Sequence, residues 1–414
     1  MSPSNRFATR LLPAIAAVLA ALAAAPIQAQ TQISDGVVRI GIINDQSGVY
    51  SGTGGPGSTL AAQMAVEDLA SVLRGIKVEI VPGDHQNKPD IASSIAREWF
   101  DARKFDAVAD GASSAAALAV QDITRERKKV FLISGPGSTD FTGKACSPTS
   151  FQFAYDTYGL SNSTTSALVK QGFKNWFMLT ADYAFGLSLE RDATNFLGRN
   201  GGKVLGGARH PFGTNDFSSF LMTASASKAQ VIGLANGGTD FSQALKQAGE
   251  FQIAAGGQRL VSLSGMISDI RAVGLQTAQG TYITESFYWD MDDQTRAFSR
   301  RFVERNNGRP PTMVQAGVYA GVHHYLKAVA ATQSDDGPTV SKKMRETPVV
   351  NFFHNNTRIR EDGRVLLPMH LFRVKAPKDS KGEWDLYQHV SSIPGEQAFR
   401  PLAEGGCPYI TAGK

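Results

Sequence analysis

The stretch "VRIGIINDQSGVYSGTGGPG", residues 38–57, admits two folds. Its opening run, VRIGII, reads as a buried strand of a parallel sheet. Its close, Gly52-x-Gly54-x-x-Gly57, matches letter for letter the pattern that opens dinucleotide-binding folds. In those folds the first glycine sits at the end of the strand and the helix opens on the third. Here the strand ends at Ile43 and Gly52 follows nine residues later. Pro56 removes an amide that would face phosphate, and the nearest acid at a strand end, Asp84, lies 27 residues past Gly57. The glycines therefore read as a mobile loop that leads into a helix N-terminus at a cleft.

The residues ahead of this strand indicate a compartment without free dinucleotides. Arg6 and Arg10 precede the apolar run "LLPAIAAVLAALAAA", and "IQAQ" offers a cut after Ala29. This is the layout of a secretory signal peptide over 1–29. The run falls short of the roughly 20 residues of a spanning helix, the alternative reading. No cysteine lies near the cut to carry a lipid. A soluble, exported, periplasmic chain is expected.

About 385 mature residues exceed one core and imply two domains. The formal charge of +5 falls to +3 without Arg6 and Arg10, and the basic residues form no stripe among aromatics, so nucleic acid is not an expected partner. The two cysteines, Cys146 and Cys407, fit no metal or redox spacing. In an oxidising compartment a single disulfide is the economical reading; two free thiols are the alternative.

Outward from VRIGII the pattern repeats. Helix-like 58–72 carries Ala61, Met64, Ala65 and Leu69 on one face. "VEIVP" (78–82), "DAVAD" (106–110) and "VFLIS" (130–134) alternate with helical 90–102 and 114–126. After "FQFAYDTYG" (151–159) a second series begins: "WFMLTAD" (176–182), "KVLGGAR" (203–209), "VIGLAN" (231–236) and "LVSLSG" (260–265). Two such series mean two α/β lobes with parallel sheets. A strand after 281, helices near 293–307 and 312–331, and a β-rich tail with "EDGR" as a turn complete both lobes. The expected division is 31–154 with 285–355 for one lobe and 155–284 with 356–414 for the other.

The order and spacing of seven pieces carry a family likeness: "VRIGIINDQSGVYSGTGG", "GDHQNKPDIASSIAREWFD", "ADGASSAAALAVQ", "KVFLISGPGSTDFTG", "LTADYAFG", "VIGLANGGTDF" and "GVYAGVHHYLKAV". Along essentially the whole mature chain the sequence resembles the type I periplasmic solute-binding proteins of ABC importers, of the Leu/Ile/Val-binding class. The resemblance implies two Rossmann-like lobes joined by a three-crossover hinge. A small-molecule ligand would be trapped between them and delivered to the transmembrane permease subunits of the importer. No cofactor or metal is implied, and a monomer is expected.

Catalytic signatures are absent: there is no Gly-x-Ser-x-Gly, His-Glu-x-x-His or Cys-x-x-Cys, and adjacent His323 and His324 point to different faces of a helix. A binding protein rather than an enzyme is expected. A periplasmic sensor acting on a membrane receptor and a secreted hydrolase are the alternatives.

Ligands of open α/β sheets lie beyond the carboxyl ends of the strands. There, Ser113 and Ser114 open a helix whose amides and dipole suit a carboxylate. By resemblance, Gly137 and Ser138 hold the ligand's polar head. The second lobe offers Tyr183 and Phe185 from "DYAFG", Asn236, Gly237 and Gly238 from "NGGTD", and Ser264 from "LSG". The amino-acid binders of the family carry a carboxylate at the position of Ser264 and often a tyrosine at Gly238. Without them the pocket suits α-amino acids poorly and has room for a larger body. Asp240 could replace the acid, though a helix cap is its expected role. Tyr50, Tyr155, Tyr158, Tyr183, Phe185, Phe287, Tyr288 and Trp289 gather near strand ends and crossings, which suggests an aromatic lining. A small organic acid, aromatic in body, is the expected ligand.

Overall fold

A computed structural model describes residues 33–410. The leader expected over 1–29 lies outside the described residues. Five short strands, buried except for the half-buried edge strand β2, form one parallel sheet: β1 Val37–Asn44, β2 Lys77–Asp84, β3 Ala107–Asp110, β4 Val130–Ile133 and β5 Ser150–Gln152, in the order β2-β1-β3-β4-β5. A second parallel sheet holds β6 Asn175–Ala181, β7 Lys203–His210, β8 Val231–Ala235 and β9 Arg259–Ser262, in the order β7-β6-β8-β9. Both sheets reverse direction of strand order beside their first strand. That reversal opens a crevice outside the carboxyl ends of β1 and β3 in one sheet and of β6 and β8 in the other.

Helices cover the sheets. In the first lobe these are α1 Gly55–Asp68, α2 Pro89–Asp101 and α3 Ser114–Glu126. In the second they are α4 Thr157–Lys170, α5 Ala184–Arg199, α6 Ser218–Ala226, α7 Gly238–Glu250 and α8 Ile267–Val273. Trp99 of α2 lies on β1 and β2 because Gly41 and Gly83 leave it room; a Cβ on Gly41 would fall 2.0 Å from the ring. The indole stacks on Phe105 at 4.7 Å.

The late segments return to each lobe. Helices α9 Asp293–Arg305, α10 Met313–Thr332 and α11 Gly337–Glu346 join the first, where α10 packs along α1. Helix α10 is capped reciprocally by Thr312 and Gln315 and is buried on nearly all sides. The β-rich tail supplies an antiparallel sheet to the second lobe: β10 Tyr282–Glu285, β11 Met369–Val374 and β12 Tyr387–Ile393.

The chain thus passes between lobes three times, and Arg364 pins the first and third passages together. Its guanidinium is fully buried, donates through Nη1 to the Tyr155 carbonyl at 2.9 Å, approaches Asp156 at 3.8 Å and lies 4.0 Å over the Phe399 ring. Burial lowers its pKa to about 10. Cys146 and Cys407 form a disulfide.

Candidate functional site

The loop after β1 is organised by Asp45, whose carboxylate accepts from the amides of Gly48 at 2.6 Å and Tyr50 at 2.8 Å and from the Asn87 side chain. The loop delivers the Tyr50 ring toward the second lobe and then enters α1. Here the glycine run shows its use. Gly57 admits Gln315 of α10, since a Cβ there would sit 2.2 Å from the Gln315 amide nitrogen; that amide donates to the Gly54 carbonyl at 2.9 Å. The run is a packing joint between α1 and α10, not a phosphate cradle.

Strand β3 ends at Asp110, which is fully buried with φ +75°. Its carboxylate accepts from Asn44 Nδ2 at 2.7 Å, Gly135 N at 3.1 Å and Ala112 N at 3.4 Å. The acid thereby ties the carboxyl ends of β1, β3 and β4 together. Burial raises its pKa, opposed by the Ser58 and Asn44 donors.

The two crevices face each other, and between them lies a cavity of about 20 Å³. The first lobe contributes Tyr50, Thr53, Gly54, Asp110, Ala112, Gly135 and Val314. The second contributes Tyr183, Phe185, Gly237, Gly238, Ser264 and Met266, and Tyr155 comes from the first crossing. The lobes touch across it. The Tyr50 and Tyr183 hydroxyls meet, Thr239 N donates to the Val49 carbonyl at 3.3 Å, and Phe212 packs on Tyr183 at 5.0 Å and Tyr50 at 5.7 Å. Gly238, at φ +62°, permits this approach: a Cβ would lie 2.4 Å from the Val49 carbonyl oxygen. Burial raises the phenol pKa of Tyr50, Tyr155 and Tyr183 well above the ordinary value, so all three are neutral; Tyr155 donates its hydroxyl to the Gly135 carbonyl at 2.5 Å.

Of the residues expected at the site, Tyr50, Tyr183, Phe185, Gly237, Gly238 and Ser264 stand on this wall. Ser113, Ser114, Gly137, Ser138 and Asn236 stand behind it. Ser113 is the N-cap residue of α3 without a side-chain cap bond. Ser114 Oγ accepts from Ser138 N at 3.2 Å, and Ser138 Oγ accepts from Asp140 N at 3.2 Å. Gly137 gives room to Tyr155 and Phe185, whose rings would lie 2.6 and 2.7 Å from a Cβ. Asn236 bonds His210, and its carbonyl accepts from Ser264 Oγ at 2.9 Å.

The aromatic gathering is partial. Tyr158 packs on Phe196, Phe287 on Phe352 and Phe353, Tyr288 on Phe372 and Tyr387, and Trp289 bonds the Trp384 carbonyl, all away from the cavity. Asp240 is not an N-cap, a place held by Gly237; it accepts from Gly213 N at 3.1 Å, and burial raises its pKa to about 6. Asp269 accepts from Met266 N at 2.9 Å and from the Gly238 amide, with burial raising it to about 7. Asp240 and Asp269 are thus each held by amides of their own lobe, with Asp240 Oδ1 left without a partner. His323 stacks on Tyr319 and His324 Nε2 meets the Met344 carbonyl, so the pair shares no target.

Thr53, Asp110, Met266 and Val314 are wall residues that sequence reasoning did not select. Only Asp110, at a strand end directly before "GASSAA", left a usable signal.

A family model described as periplasmic binding protein matches residues 37–383. Leu/Ile/Val-binding protein homolog 6 of Brucella abortus (strain 2308) is 25% identical over 329 residues, 76% of this chain and 81% of that protein. A periplasmic binding protein from Burkholderia mallei is 43% identical with a TM-score of 0.87, over 90% of this chain and 99% of that one. A branched chain amino acid ABC transporter periplasmic ligand-binding protein from Burkholderia xenovorans LB400 is 37% identical with a TM-score of 0.80, over the same shares. At 17% identity, an ABC transporter solute binding protein from R. palustris, in complex with benzoate, shares the fold with a TM-score of 0.79, over 90% of this chain and 99% of that one. The chain belongs to the type I periplasmic binding proteins of the Leu/Ile/Val-binding family, the solute-binding components of ABC transporters.

Proposed function

We propose that this protein captures a small organic carboxylate with an aromatic body between its lobes and hands it, unchanged, to the permease of an ABC importer. The observation that carries the ligand class is the cavity wall: Tyr50, Tyr155, Tyr183 and Phe185 surround it, while Ser264 donates to a backbone carbonyl and offers no negative charge. A buried ammonium needs such a charge, because an unpaired one costs several kcal/mol. The benzoate complex of the R. palustris protein supports the same class. The carboxylate is assigned to the wall at Ala112, ahead of the amides that open α3, and the ring to the tyrosines.

Room for a ring requires Tyr50 and Tyr183 to part, so binding is a hinge motion in which contacts from the second lobe select the closed state. The working form is a periplasmic monomer released by cleavage after Ala29, with lobes 31–154 plus 285–355 and 155–284 plus 356–414. Calorimetry with benzoate, followed by mass spectrometry of the recovered ligand, tests the role: one ligand per chain without conversion is expected, and a product would restore an enzyme reading. A second reading, an α-amino acid, is favoured by the Asp110 carboxylate on the wall, although its oxygens already serve Asn44, Gly135 and Ala112.

A further inference from the structure

We propose that the C-terminal segment 395–407 is a fourth, covalent strap across the hinge, in which Arg400 positions the contact between lobes and the Cys146–Cys407 bond limits how far they open.

The segment begins on the second lobe. After β12 a short helical turn, Gly395–Ala398, lies on α4, where Asn162 Nδ2 donates to the Gln397 carbonyl at 2.9 Å. Phe399 packs against Gly159 of α4 and under Arg364. Glu404 pairs with Arg199 of α5 at 3.5 Å. The segment then leaves that lobe. Gly405 meets Gly143 so closely that a Cβ on Gly143 would fall 2.9 Å from its carbonyl oxygen, and Cys407 bonds Cys146. The loop around Cys146 belongs to the first lobe, where Gln121 and Arg125 of α3 hold the Ala145 carbonyl. The disulfide therefore joins the two lobes, in addition to the three chain crossings.

Arg400 fixes where the strap acts. Its Nη2 donates to the Thr139 carbonyl at 2.9 Å. The Thr139 hydroxyl lies against α5 of the other lobe, 3.4 Å from Ser188 Oγ, 3.3 Å from Asp192 Oδ2 and 2.8 Å from Arg191 Nη2. Two residues before Thr139, Gly137 underlies Tyr155 and Phe185 of the cavity. Opening the lobes at this flank must pull Thr139 from Ser188 and Asp192 while the strap holds both sides. A covalent limit there removes wide-open states from the ensemble and leaves the closed form a larger share. Reduction leaves the strap joined to the first lobe by the Arg400–Thr139 bond and the Gly405–Gly143 contact, with no covalent tie.

Small-angle X-ray scattering and amide exchange on the full chain test this without any ligand, so the outcome stands apart from the ligand class. Four samples are compared: oxidised protein, the same protein in dithiothreitol, the C146S/C407S variant, and Arg400→Gln with its disulfide intact. The expected result is an upward shift in radius of gyration on reduction or in C146S/C407S. Exchange should quicken at 137–147 and 184–192 while β1, β3, β6 and β8 stay protected. Arg400→Gln should shift the same way by less, and it covers the case in which the cysteine variant does not fold. Unchanged scattering and exchange after the bond is broken would overturn the proposal. Faster exchange spread evenly over both sheets would also overturn it, since the bond would then be a staple of the fold and not of the hinge.

Discussion

Gly238 carries closure on one missing methyl group. At φ +62°, with the Val49 carbonyl 2.4 Å from where a Cβ would stand, alanine is strained and obstructive. Gly238→Ala should weaken ligand binding by about tenfold or more, roughly 1.4 kcal/mol. The ligand-free melting temperature should fall only slightly. Calorimetry beside thermal melts checks this, and equal losses in both would place the glycine in the fold alone. Glu285 carries a pH dependence. It is buried, bonded to the Tyr387 hydroxyl at 2.7 Å, and burial lifts its carboxyl from 4.5 to about 8. The folded state therefore holds a proton that the unfolded state has released between those values. Stability is full below about 4.5 and is lost as pH rises toward 8. Melts from pH 5 to 9 should decline, and Glu285→Gln should flatten the decline without abolishing it, because Asp269 titrates nearby at about 7. An identical decline in the variant would refute the assignment.

At the scale of elements, strand ends and helix starts carry the site. Asp110 draws the ends of three strands together, so Asp110→Ala leaves the Gly135 amide without an acceptor and Asn44 with the Gly55 carbonyl alone. A loss of about 2 kcal/mol or more in denaturant unfolding is expected; a loss under half of that would show that the loops hold themselves. This level was the most legible in sequence. VRIGII, "DAVAD" and "VIGLAN" are strands because both their faces are buried, and their boundaries lie within a few residues of those expected. Residues on the turns directly after such strands, Tyr50, Tyr183, Gly237 and Gly238, follow from the strands themselves. Val314 and Met266 do not. They reach the wall through the packing of α10 on α1 and through the start of α8, which no local pattern encodes. Tyr288 and Trp289 show the converse: aromatics near a crossing found partners in the antiparallel tail, whose pairing depends on strands over eighty residues apart, while Phe287 packs on Phe352 and Phe353. Ser113, Ser114 and Ser138 lie just past the ends of β3 and β4 but outside the wall, and the Ser114 and Ser138 hydroxyls bond within the loops.

At the scale of the whole molecule, the proposed function requires two lobes to close over a carboxylate that lacks an ammonium. The ring must displace the Tyr50–Tyr183 contact, and the wall offers it phenols, Phe185 and no spare negative charge. The most direct measurement is a thermal-shift panel at matched ionic strength with benzoate, 4-hydroxybenzoate, Leu, Ile and Val. A ligand at 100 times its dissociation constant adds roughly 2.7 kcal/mol to stability. The aromatic carboxylates should raise the melting temperature, and the three amino acids should leave it unchanged. Strong stabilisation by Leu, Ile and Val with none from either benzoate would contradict the account and give Asp110 the role of ammonium partner.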